Sequence, residues 1–103
     1  MVAKQYILES IKSIVLNIDE NSEVVLFGSR ARGDFSANSD WDMLILLEKE
    51  ATEALKRHIR DQIFDLELET DEVISTIIEN KADWANYQVT PLFQNIEKEG
   101  IAA

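Results

Sequence analysis

Two short apolar runs, Val24-Val25-Leu26-Phe27 and Met43-Leu44-Ile45-Leu46-Leu47, constrain this chain more than any other feature. Neither alternates polar with apolar residues, so each reads as a strand covered on both faces. Strands of that kind need helices packed on the sheet. The flanking segments supply them. Between residues 2 and 18, Tyr6, Ile7, Ile11, Ile14, Val15 and Ile18 recur three and four apart, as on one face of a helix. Leu55, Ile59, Ile63 and Leu66 repeat the pattern within a second helix from Glu50 to about Glu69. Asp71 to Ile78, with apolar Val73, Ile74, Ile77 and Ile78, reads as a third strand. Thr90-Pro91 opens a last helix, with Thr as cap and Pro at the first helical position, and Gly100 closes it. A short helix starting near Ser29 completes the order helix, strand, helix, strand, helix, strand, helix. That order predicts a small α/β (α+β) sandwich, and 103 residues suit a single domain over 1–103.

Composition narrows the chemistry. The chain has no cysteine, which excludes a disulfide framework, a thiolate nucleophile and a thiolate zinc site. The lone His58 builds no histidine metal site, so any metal is a hard, oxygen-liganded ion such as Mg2+ or Mn2+. The formal net charge of −10 argues against nucleic-acid binding, which needs a basic surface for the phosphates. It favours a small molecule or a protein as partner. Polar residues break the apolar run at the N-terminus, which reads as neither signal peptide nor membrane span, so a cytoplasmic location is expected.

Between the two apolar runs lie the polar features that carry chemistry. Gly28-Ser29-Arg30-Ala31-Arg32-Gly33 follows the first strand and forms a strand-to-helix corner. Backbone N–H groups and the positive helix end can receive phosphate oxygens there; Gly28 permits close approach and Ser29 adds a hydroxyl donor. Ser39-Asp40-Trp41-Asp42 then leads into the second strand. A period of two puts Asp40 and Asp42 on one face, roughly 6–7 Å apart, with Trp41 opposite. Two carboxylates so placed suit a pair of divalent ions about 3.5–4 Å apart, the arrangement used for in-line displacement at phosphorus.

The run GSRARGDFSANSDWDMLILLE resembles the signature of the DNA polymerase beta-type nucleotidyltransferase superfamily: Gly-Ser, then Ala-Arg-Gly, then Ser-Asp-x-Asp before an apolar strand. Within it the chain is most similar to the minimal nucleotidyltransferases, domains of about this length often encoded beside HEPN-domain proteins. The resemblance implies the nucleotidyltransferase fold, a small mixed sheet with about four helices. It implies transfer of AMP from ATP to a hydroxyl of a protein or small molecule, with release of pyrophosphate. Gly28 and Ser29, with Arg32 and Ser39 of the same motif, are then the nucleotide-binding residues, and Asp40 and Asp42 ligate Mg2+, two ions being expected. The superfamily takes a third carboxylate from a neighbouring strand, for which Asp71 is the candidate here, with Glu72 behind it. A dimer or partner subunit is expected to supply the wall that a second domain gives larger relatives. A different reading is an antitoxin-like subunit that neutralises a HEPN-type ribonuclease in a toxin–antitoxin system, by modifying or masking it.

Competing motifs fail on spacing. No Gly-Lys-Ser/Thr follows Gly28, so this is no Walker-type phosphate loop. A calcium loop starting at Asn38 or Asp40 lacks the central glycine and the terminal glutamate. Arg32-Gly33-Asp34 is read as part of the Ala-Arg-Gly motif. Trp84, Tyr87 and Phe93 are read as residues packing on the sheet.

Overall fold

A computed structural model describes residues 3–103. Its elements run α1 (Lys4–Ile18), β1 (Glu23–Phe27), α2 (Ser29–Arg32), β2 (Trp41–Leu47), α3 (Glu53–Thr70), β3 (Ile74–Asn80), α4 (Lys81–Trp84), a 3-10 turn (Ala85–Tyr87), α5 (Pro91–Glu99) and β4 (Ile101–Ala102). The four strands form one mixed sheet in the order β3-β2-β1-β4. β1 is antiparallel to both β2 and β4, while β2 and β3 are parallel and joined through α3.

Alternation along β2 divides the core between the two faces of the sheet. Trp41, Met43, Ile45 and Leu47 join Val24 and Leu26 beneath α1 and α3, which contribute Ile7, Ile11, Val15, Ile59, Ile63 and Leu66. Leu44 and Leu46 point the other way and meet Trp84 and Ile96 from α4 and α5. Trp84 also packs its ring on Phe93, at 5.2 Å between centroids, and on Tyr87, at 5.7 Å. Covering on both faces explains the uninterrupted apolar runs.

Local chemistry sets the helix ends. Thr52 caps α3 by accepting from the Leu55 N–H, and Thr90 caps α5 by accepting from the Phe93 N–H. Asp19 ends α1 with a buried carboxylate that accepts from the N–H groups of Asn21, Glu48 and Lys49. Burial pushes its pKa up, but those three donors outweigh burial and hold it below the ordinary value.

Three elements differ from the sequence-based expectation. The third strand was expected from Asp71, but α3 runs to Thr70 and Asp71 caps it in the left-handed conformation, φ 57°. The strand begins three residues later, at Ile74. α4 and the two-residue β4 were not expected; with α4 the described residues contain five α-helices. Among the described residues, no helix is long and apolar enough to cross a membrane.

Candidate functional site

The helices covering Leu44 and Leu46 leave the polar end of β2 open. Asp42 continues the row of those two leucines, paired with Phe27 of β1 on one side and Ser75 of β3 on the other. Asp40 lies just before the strand, and its Oδ2 accepts from Ser75 Oγ at 3.2 Å, which places both aspartates on this face. Trp41 between them is buried on the opposite face, 2% exposed.

Gly28 closes the site from β1. Its φ of 74° and ψ of −160° lie in a region open essentially to glycine alone. A Cβ at this position would stand 3.1 Å from Asp42 Cγ and collide with Asp42 Oδ2. The glycine therefore permits both the corner and the close approach of the carboxylate. Ser29, half-buried, begins α2, where the first N–H groups have no intrahelical partner.

The aspartates carry charge that the fold alone does not neutralise. Burial pushes the Asp42 pKa above the ordinary carboxylate value; the neighbouring Asp40 raises it further, and Arg32 partly opposes both. Such a pair calls for a cation. Its oxygens suit a hard divalent ion, and Asp40 and Asp42 would be the protein ligands. Among the described residues, no group of three His, Cys, Asp or Glu side chains is assembled to hold a metal. The remaining ligands would then be phosphate oxygens and water.

The other sequence-predicted residues divide. Arg32 sits at the corner, its guanidinium donating to Asp34 at 3.2 Å and to Glu99 at 3.2 and 3.4 Å; those bonds raise its pKa. Ser39 faces the loop: its hydroxyl accepts from the Ser36 N–H, and its carbonyl accepts from the Arg30 guanidinium. Arg30 is buried, 4.1 Å from the Trp41 ring and 4.8 Å from that of Phe35, so it braces the loop on the far face. Asp71 and Glu72 are not brought to Asp40 and Asp42. Asp71 is the helix cap, and Glu72 pairs with Arg30 at 3.9 Å. The β3 position level with Asp42 is Ser75, a hydroxyl where the resemblance implied a carboxylate.

Sequence reasoning missed Glu99. Its Oε1 accepts from the Gly28 N–H at 3.2 Å as well as from Arg32. One of the corner N–H groups expected to be free is thus already engaged.

A glycine corner held against paired aspartates at the open end of a mixed sheet is the arrangement that the resemblance to the nucleotidyltransferases implied. The chain belongs to the nucleotidyltransferase domain family, whose model matches residues 7–101, in keeping with its likeness to the minimal nucleotidyltransferases. It is 39% identical over 80 residues to "Putative protein adenylyltransferase MJ0141" of Methanocaldococcus jannaschii, covering 73% of this chain and 81% of that protein. Over 27 residues it is 59% identical to Protein adenylyltransferase MntA of Aphanizomenon flos-aquae, a stretch covering 26% of this chain and 18% of that one. Its fold is shared with a crystal structure of a toxin–antitoxin with AMP-PNP, at a TM-score of 0.61 and 19% identity, over 91% of this chain and 70% of that chain.

Proposed function

We propose that this domain transfers AMP from ATP to a hydroxyl of a protein or small molecule, using Mg2+ held by Asp40 and Asp42. The contact between Gly28 and Asp42 carries this reading, because it sets the carboxylates directly against the phosphate-receiving corner. The ion, when bound, polarises the α-phosphate and neutralises the departing pyrophosphate; Mn2+ suits the same oxygens. Ser29 donates its hydroxyl and N–H to phosphate oxygens, and Arg32 adds positive charge beside Asp42. The acceptor oxygen attacks the α-phosphorus and forms the new O–P bond. The bond to the oxygen bridging the α- and β-phosphates breaks, and pyrophosphate leaves with the electron pair. The acceptor proton passes to solvent, since Ser75 offers no carboxylate at the level of Asp42. The relatives' description as protein adenylyltransferases supports AMP as the group and a protein as acceptor. The net charge of −10 supports a protein or small molecule over a nucleic acid.

Incubation with soluble cell proteins, Mg2+ and ATP labelled at either the α- or the γ-phosphate tests the reading. Label is expected on protein from the α-position alone, with pyrophosphate released, and not with Asp40→Asn/Asp42→Asn. Transfer of the γ-label, or transfer unchanged in the double variant, would contradict it.

A second reading, an antitoxin-like subunit that neutralises a HEPN-domain ribonuclease, draws on the acidic charge and on exposed Phe64 and Leu68 beside Asp61 and Asp65 on α3. An acidic surface with apolar contacts suits a basic protein. A fold relative solved as a toxin–antitoxin is in keeping with it. Neutralisation by masking survives loss of Asp40 and Asp42; neutralisation by modification does not.

A further inference from the structure

Glu99 reaches the site from the far end of the chain. The carboxylate accepts from the Gly28 N–H, 71 residues away, and from the Arg32 guanidinium, while it is only 23% exposed. Both neighbours in sequence are fixed. On one side, α5 is anchored by buried Ile96. On the other, β4 pairs with β1, Ile101 opposite Leu26 and Ala102 opposite Val25. Gly100 between them has no room for a side chain, since a Cβ would lie 2.5 Å from the Ile96 carbonyl and 2.7 Å from Val25 Cγ1. The carboxylate is thus held at a packed junction, with little freedom to swing away.

We propose that Glu99 is a positioning residue for the triphosphate corner, holding Gly28 in its positive-φ geometry and Arg32 beside Asp42. The inference rests on the reading of this site as an ATP site. Arg32 has two carboxylate partners, Asp34 and Glu99, which lie in different parts of the chain. Asp34, two residues away and 61% exposed, moves with the same loop. Among the described residues, Glu99 is the partner that ties the guanidinium to the sheet and α5, so it fixes where that charge stands relative to β2. Two donors from the corner meet this one carboxylate, and a rigid corner spends less of its binding energy on ordering.

The test is the affinity for Mg2+-ATP, measured in the wild type, Glu99→Gln, Arg32→Ala and the double variant, with Glu97→Gln as the charge control on the exposed side of α5. Glu99→Gln keeps an acceptor for Gly28 and loses the charge that holds Arg32. It is expected to weaken binding about tenfold when Arg32 is present and less than about twofold when Arg32 is already alanine. Should Glu99→Gln fail to fold, Glu99→Asp serves in its place, with a smaller loss that again disappears without Arg32. Tighter binding by Glu99→Gln would make Glu99 a competitor of the phosphates and overturn the inference. An effect equal to that of Glu97→Gln, or one undiminished by Arg32→Ala, would overturn it too while leaving the ATP site standing. Absence of binding in the wild type would instead remove the site and the inference together.

Discussion

Asp42 keeps its carboxylate at a place where burial and Asp40 both oppose the charge. Its folded pKa lies above the unfolded value, so the folded state holds the proton more tightly. The associated stability is present at low pH and is lost as pH rises through the raised pKa. Asp42→Asn removes that penalty together with a metal ligand. The metal-free variant is expected to melt above the wild type while losing affinity for Mg2+-ATP, as thermal melts with and without ligand will show. A melting point below that of the metal-free wild type would contradict the electrostatic account. The same titration makes affinity for Mg2+-ATP fall on acidification from above the ordinary carboxylate range, because the ion needs the ionised form. The grouping of Gly28, Asp40 and Asp42 at one corner was legible in the sequence because it depends on local spacing. Glu99 was not: its partner is 71 residues away, and the helical spacing of α5 marks it only as a polar position.

At the scale of elements, the segment between α3 and β3 shows where reading the sequence fell short. Glu69-Thr70-Asp71-Glu72 contains neither glycine nor proline to punctuate it, so the strand was expected to start at Asp71. In the fold, aspartate takes the left-handed cap that glycine usually fills, because its short polar side chain tolerates that conformation. Starting the strand three residues later brings Ser75 level with Asp42. Asp71→Gly relieves the cap and is expected to raise stability by about 0.5–1 kcal/mol in denaturant titrations. Transfer of α-label is expected to persist in this variant; its loss would return Asp71 to the role of third carboxylate. β4 escaped notice for another reason. Two residues carry no readable period, and the strand exists through its pairing with β1. The capped start of α5 was legible, since Thr90-Pro91 is a local signal.

Across the whole molecule, one sheet carries two unequal covers. α1 and the 18-residue α3 seal one face, while the short α4 and α5 on the other leave the end with Asp40, Asp42 and Ser75 open. The α/β layering was legible from the two apolar runs, because strands covered on both faces leave few alternatives. The uneven cover depends on the lengths of α4 and α5, and α4 carried no signal of its own. The central claim is that Asp40 and Asp42 hold the metal against a triphosphate at the Gly28 corner. Calorimetric titration of ATP into the wild type and Asp40→Asn/Asp42→Asn, each with and without Mg2+, tests it most directly. The account predicts binding by the wild type that requires Mg2+ and disappears in the double variant; equal binding by both proteins, or none by either, would contradict it.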